Sequence, residues 1–238
     1  MPDYPLREYF IKYLTDVQKV SKSTIKHYLD ALNWISRFLA NKGLIIDKLF
    51  EVSDTDSLKH LSEILLADAE FVAMNKRGHQ MYTAGFNHYM RFAEGTDFEM
   101  IGQKINLLDV PIPVADKTEG VLRKEWKRSG IIKDQSIKTA RYECEVDSSH
   151  KTFIAARSGK PYMEGHHSIP MRFQSSFSMS LDVYANIVCL CPICHRLLHF
   201  GKKEEKLPAL NKIYFERGER MAHSGIRISH DEFIDLVG

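Results

Sequence analysis

The stretch EGHHSIP, residues 164–170, sets His166 beside His167 after a β-like run and before a proline. On a strand, neighbouring side chains point to opposite faces, so two adjacent imidazoles should do two different jobs. Further along, CPICHRLLH carries His195 and His199 at i and i+4. On a helix that spacing puts both rings on one face, where they suit a single metal ion. Two histidines on a helix are more often surface or core than ligands. The adjoining cysteine knuckle and the preceding His-His doublet reverse that expectation here.

The thiols point to a second metal. The chain has four cysteines, three of them crowded into VCLCPICH as Cys189, Cys191 and Cys194, with Cys144 far upstream. Structural zinc takes four closed ligands, usually as two knuckles that each supply a pair. Cys191-Pro-Ile-Cys194 is one knuckle. The other is incomplete, because Cys144-Glu-Val-Asp147 has an aspartate where a second cysteine would stand. The next candidate is His150, so the expected structural Zn2+ site is Cys144, His150, Cys191 and Cys194, with Asp147 as the alternative fourth ligand. Cys189 alternates with the knuckle along an apolar run and reads as a buried core thiol.

These groups need elements to position them. FIAARSGKPYMEGHH reads as two β segments around a Ser-Gly turn, followed by the polar loop MRFQSSFSMSLDVYA. The apolar run NIVCL then leads into a helical CPICHRLLHF. Beyond KKEEK, LPALNKIYFERGERM is helical, and SHDEFIDLV opens with a capping box, Ser229 and Glu232.

The first ninety-five residues carry helical periodicity instead. Leu6, Tyr9, Phe10, Tyr13, Leu14 and Val17 form one stripe, and Ile25, Tyr28, Leu29, Leu32, Ile35, Phe38 and Leu39 another. Ser21 or Ser23 can cap the second helix, and Gly43 stands where a C′ glycine belongs. SLKHLSEILLADAEFVAM predicts a third helix with Asp54 or Asp56 near its start, and a fourth ends near Gly95. Aromatic residues at helical spacing are core before they are base-stacking platforms.

Between 96 and 137 the periodicity fades, and Pro111 and Pro113 predict an extended connector. It runs into EGVLRKEWKRSGIIKDQSIKTARYE. There Arg123, Lys124, Lys127, Arg128, Lys133, Lys138 and Arg141 either contact DNA phosphates or form a solvated face.

The overall composition adds limits. The chain is 238 residues long, 44 % hydrophobic, with a net charge of +2, enough for a real core and two modest domains. It is neither collagen-like nor disordered. No apolar run is long enough for a membrane span, and the start lacks the shape of a signal peptide. The expectation is a cytoplasmic protein with no membrane partner.

Taken together, Cys144, GKPYMEGHHSIP and NIVCLCPICHRLLH resemble an HNH nuclease domain of the ββα-metal superfamily, in its zinc-knuckled form. The resemblance covers roughly residues 140–200. It is similar to the HNH part of bacterial restriction enzymes, including methylation-dependent ones, in which an E-x-HH-x-IP run occurs. The tail, YFERGERMAHSGIRISHDEFIDL, resembles the helical extension that follows such domains.

The resemblance implies that His167 deprotonates a water and that Asn186 orients it. It also implies that His166, His195 and His199 hold a catalytic divalent metal (Mg2+, Mn2+, Co2+ or Ni2+). The place of His166 is an aspartate in many HNH domains; an all-imidazole set favours the later transition metals over Mg2+. The expected fold is α+β: a mainly helical N-terminal domain (1–95), an extended and basic connector (96–137), and an HNH nuclease domain with a helical tail (138–238).

The function implied is a DNA endonuclease, first of all a restriction enzyme, acting on double-stranded DNA as a homodimer matched to a palindromic target. Two alternatives stand beside it. One is a phage or mobile-element nicking nuclease; the other is a non-catalytic zinc-stabilised DNA-binding module. The module has no need for His166, His167, Asn186, His195 and His199 together.

Overall fold

The computed structural model describes residues 4–114, 117–119 and 124–238. They divide into two units, Met1–Asp97 and Phe98–Gly238. The fold is α+β, mostly helical with small two-stranded sheets. Among the described residues, no helix is long and apolar enough to cross a membrane.

The first unit is helical throughout: α1 (Pro5–Lys12), α2 (Lys22–Asn41), α3 (Thr55–Ala67), α4 (Ala69–Arg77) and α5 (Met81–Glu94). Ser21 caps α2 by accepting from Thr24 N, and Gly43 follows the helix at φ +69°. The stripes turn inward as helical spacing requires. Leu6, Tyr9, Phe10, Ile25, Leu32, Ile35 and Leu39 are buried, while Tyr28 and Leu29 are half-buried. Tyr89 and Phe10 meet edge to face at 5.3 Å between ring centroids.

The aromatic residues of this unit are therefore core. Gly85 lets α5 approach α2 closely, because a Cβ there would sit 2.9 Å from Ala31 Cβ. The single third helix expected from the sequence is two. Asp68 is extended (φ −82°, ψ 117°), ends α3, and caps α4 by accepting from Phe71 N at 3.0 Å. A capping aspartate inside an apolar-periodic run stops one helix and starts another without disturbing the period.

The second unit holds the chemistry. Its elements are α6 (Phe98–Ile101), β1 (Lys117–Glu119), β2 (Lys124–Trp126), α7 (Gly130–Thr139), β3 (Glu164–His167), β4 (Ile187–Leu190), α8 (Pro192–Phe200), α9 (Lys203–His223) and α10 (His230–Val237). Residues 98–108 and 130–137, read from the sequence as part of an extended and basic connector, are helical and belong to this unit. Their helices are short and largely buried (Phe98, Ile101, Ile131, Ile132, Ile137), so they lack the polar face that makes a helical period visible.

β3 and β4 pair antiparallel in the register Glu164↔Leu190, Gly165↔Cys189, His166↔Val188 and His167↔Ile187. α7 packs on both strands. Gly165 leaves room for the aliphatic stem of Lys133 to cross β3 there. α9 begins at Lys203, so the charged KKEEK segment is its first turn and not a break. Glu204 and Glu205 sit favourably at its positive end. α10 opens with the expected capping box of Ser229 and Glu232.

Candidate metal centres

β4 runs straight into α8, and the junction is built around Cys191. Its Sγ accepts from Cys194 N at 3.4 Å, which makes it the N-cap of α8, and its carbonyl accepts from His195 N at 2.9 Å. The upstream half of the cluster is carried by Glu145, which docks beside β4. Glu145 N donates to Cys189 O at 2.9 Å, and its carboxylate accepts from Cys189 N at 2.5 Å. The same carboxylate is held by Arg217 of α9, whose other nitrogen reaches Tyr184 O at 3.3 Å. A half-buried charge pair with each of its partners in place orders the loop that carries Cys144.

This docking brings Cys144, His150, Cys191 and Cys194 together, with their ligand atoms all within 4.8 Å of one another. His150 Nδ1 lies 3.4 Å from both Cys191 Sγ and Cys194 Sγ. Three thiols and one imidazole form a group that can bind zinc. Burial pushes Cys144 up, but the N–H groups of Cys191, Asp147 and Val146, together with His150, outweigh it and bring the thiol down to about 7. Burial raises Cys194.

Asp147 stands outside this group. It is exposed, accepts from Ser149 N at 2.8 Å, and faces the far nitrogen of His150, Nε2, at 3.5 Å. It is placed to orient the ring from behind, a partner of the kind ligand histidines usually have. Cys189 is fully buried in β4.

The second cluster comprises His166, His195 and His199, again within 4.8 Å of one another. Their rings meet edge to face, with centroids 5.0, 4.9 and 4.7 Å apart. β3 supplies His166, turned inward and buried, and one face of α8 supplies the other two. Burial first, then the neighbouring His195, His199 and His167, pushes His166 down to about 3. His199 is lowered in the same way, by burial and then by His195 and Arg196. Both shifts favour the neutral ring, the form in which imidazole binds a metal.

Glu164 Oε2 sits 2.5 Å from His195 Nδ1; both atoms are buried, and neither has a hydrogen-bond partner among the described residues. Tyr162 donates to Glu164 Oε1 at 3.1 Å and stacks on exposed Phe153. Sequence reasoning missed Glu164. Strand alternation could have found it, since residues 164 and 166 share a face.

His167 lies outside the imidazole cluster. Its Nε2 is 2.8 Å from Asp182 Oδ1, a contact between residues fifteen apart across an irregular loop. No local pattern in the sequence marks Asp182.

Asn186 differs from expectation. It is fully buried, and its side chain bonds to loop backbone: from Ile169 N at 2.8 Å, to Ile169 O at 3.0 Å and to Leu181 O at 2.8 Å. It closes the loop between β3 and β4; none of these bonds goes to the His167 ring. Asn186→Ala removes three buried hydrogen bonds and orphans their partners, so it is expected to cost roughly 3 kcal/mol or more. Denaturant unfolding of the zinc-loaded protein measures this, and an unchanged midpoint would refute the role.

The basic residues are only partly placed. Arg123 and the side chain of Lys124 lie outside the described residues. Lys127 is half-buried, Arg128 exposed, Lys138 half-buried at the end of α7, and Arg141 exposed with φ +53°.

No family model matches the chain. It is 34 % identical over 86 residues to the type IV methyl-directed restriction enzyme EcoKMcrA of Escherichia coli (strain K12). The match takes in 36 % of this chain and 29 % of that enzyme's length, so the chain spans under a third of the relative it resembles.

Proposed function

We propose that this chain is a metal-dependent DNA endonuclease of the HNH, ββα-metal type, acting in restriction. The observation that carries this reading is the division of labour along β3. His166 joins His195 and His199 in an imidazole cluster, while the next residue, His167, pairs with a carboxylate outside it. A zinc-stabilised binding module has no use for that arrangement. The partial similarity to EcoKMcrA supports DNA as substrate and restriction as the setting.

The roles follow from the chemistry of hydrolysis. Cys144, His150, Cys191 and Cys194 hold the structural zinc that fixes the start of α8. His166, His195 and His199 hold one divalent ion, whose contribution when bound is Lewis-acid stabilisation of the charge on phosphate and leaving oxygen. His167 takes the proton of the attacking water as its oxygen bonds to phosphorus and the bond to the leaving oxygen breaks. Asn186 holds the loop that frames the site. Lys127, Arg128, Lys138 and Arg141 contact backbone phosphates, the part of such interfaces that positions without reading sequence.

One such site cuts one strand, so a double-strand break calls for two copies of the chain. The test is digestion of methylated and unmethylated supercoiled plasmid by the purified protein, across a series of divalent metals. Cleavage is expected with Mn2+, Co2+ or Ni2+ at least as fast as with Mg2+, and EDTA should stop it. Linear product supports the dimer; nicked circles alone point to the single-strand reading. Strict Mg2+ dependence would remove His166 and His195 as joint ligands. DNA binding without cleavage in any metal would leave the non-catalytic module.

A further inference from the structure

Asp182 is built into the structure as more than a neighbour of His167. A carboxylate oxygen accepts and does not donate, so the 2.8 Å contact from His167 Nε2 to Asp182 Oδ1 is filled by a proton on Nε2. In the neutral ring that leaves the lone pair on Nδ1.

Asp182 itself is held on three sides. Its Oδ2 accepts from Ser129 N at 2.6 Å, its own N–H donates to Ser180 Oγ at 3.1 Å, and the residue is 8 % exposed. Ser129 is the N-cap of α7, with its Oγ accepting from Ile132 N, and α7 packs on β3 and β4. The carboxylate is thus clamped between the loop that precedes β4 and the helix against the sheet. It cannot swing from the imidazole without giving up the Ser129 N–H.

We propose that Asp182 is the positioning residue of the site: it fixes the tautomer and ring orientation of His167, so that Nδ1 faces the water. The catalytic consequence rests on the nuclease reading above; the tautomer does not. Asn186 ties down the loop, and Asp182 sets the ring, a role that no local sequence pattern assigns to it. The segment that ends at Ser129 also carries Lys127 and Arg128, so the clamp links a basic strip of backbone to the base.

Two measurements on the zinc-loaded chain test this. The first is long-range 1H–15N correlation of the His167 imidazole at about pH 8.5, where an unperturbed imidazole is neutral. The wild-type ring is expected as the Nε2–H tautomer, and an Nδ1–H tautomer overturns the proposal without any variant.

The second compares Asp182→Asn and Asp182→Glu in single-turnover cleavage. Asparagine keeps an acceptor for Ser129 N–H while presenting an N–H to Nε2, which favours the wrong tautomer. Asp182→Asn is expected to lower the cleavage rate at least about 100-fold, with DNA affinity and zinc content unchanged. Asp182→Glu, which keeps a carboxylate, is expected to recover part of the rate and the wild-type tautomer.

A wild-type enzyme that cleaves, with an Asp182→Asn variant within threefold of it, refutes the positioning role and leaves the nuclease reading intact. A wild-type chain with no cleavage in any metal refutes the nuclease reading, and the tautomer measurement still decides the geometry.

Discussion

Replacing His167 by alanine is expected to lower single-turnover cleavage on the order of 10³-fold, while zinc content, fold and DNA affinity stay as they were. His167 is half-buried at the end of β3, so truncation leaves no large cavity in the core. It lies outside both candidate ligand clusters, so neither loses a donor. Its loss removes the proposed acceptor of the water's proton, and it leaves the Asp182 carboxylate with the Ser129 N–H but without its imidazole partner.

His166→Ala provides the contrast. That residue is buried among the imidazoles, and its removal should weaken affinity for the added divalent metal, a defect that more metal partly restores. A saturating metal series separates the two variants. Full cleavage by the His167→Ala protein would end its assignment as the base.

The second large effect is on folding. His150→Ala is expected to lose structural zinc and to unfold the second unit at markedly lower denaturant, whereas Asp147→Ala should keep full zinc content. A structural zinc site is worth about 10–16 kcal/mol of apparent binding free energy, as much as the net stability of a typical domain. The geometry assigns the imidazole to it: His150 Nδ1 lies between two thiols, while Asp147 touches only the far nitrogen of the same ring. Elemental analysis beside urea unfolding decides the matter. Full zinc in the His150→Ala protein would exclude that ligand, and zinc loss in the Asp147→Ala protein would promote the aspartate.

Much of this arrangement was legible from residue type and spacing. The i, i+4 pair on α8, the C-x-x-C knuckle and the His-His doublet are local patterns, and local geometry is what periodicity encodes. The helical first unit was legible for the same reason, since its aromatic residues recur every third or fourth position and turn inward. The break at Asp68 was hidden because its helix cap preserves the apolar period on either side.

The buried helices at 98–101 and 130–139 were hidden for the opposite reason: they have little polar face to contrast with. The least legible features are the long-range polar contacts. Asp182 reaches His167 across a loop with no repeating pattern, and Glu145 reaches Cys189 across forty-four residues. Asn186 was noticed for its resemblance to a motif. Its bonds to Ile169 and Leu181 backbone appear only once the loop is folded.

The register of one short strand pair has a consequence of its own. Pairing His166 with Val188 and His167 with Ile187 decides which imidazole faces inward. A slip by a single residue would turn every side chain of the four-residue strand over, and the proposed ligand and the proposed base would exchange places. The two proposed roles, coordination and proton transfer, are thus separated by alignment alone, with identical side chains on either side of the divide. The Glu145 carboxylate on Cys189 and the Asn186 bonds to Ile169 hold that alignment at its two ends. In this sheet, they act as the reading frame of the chemistry.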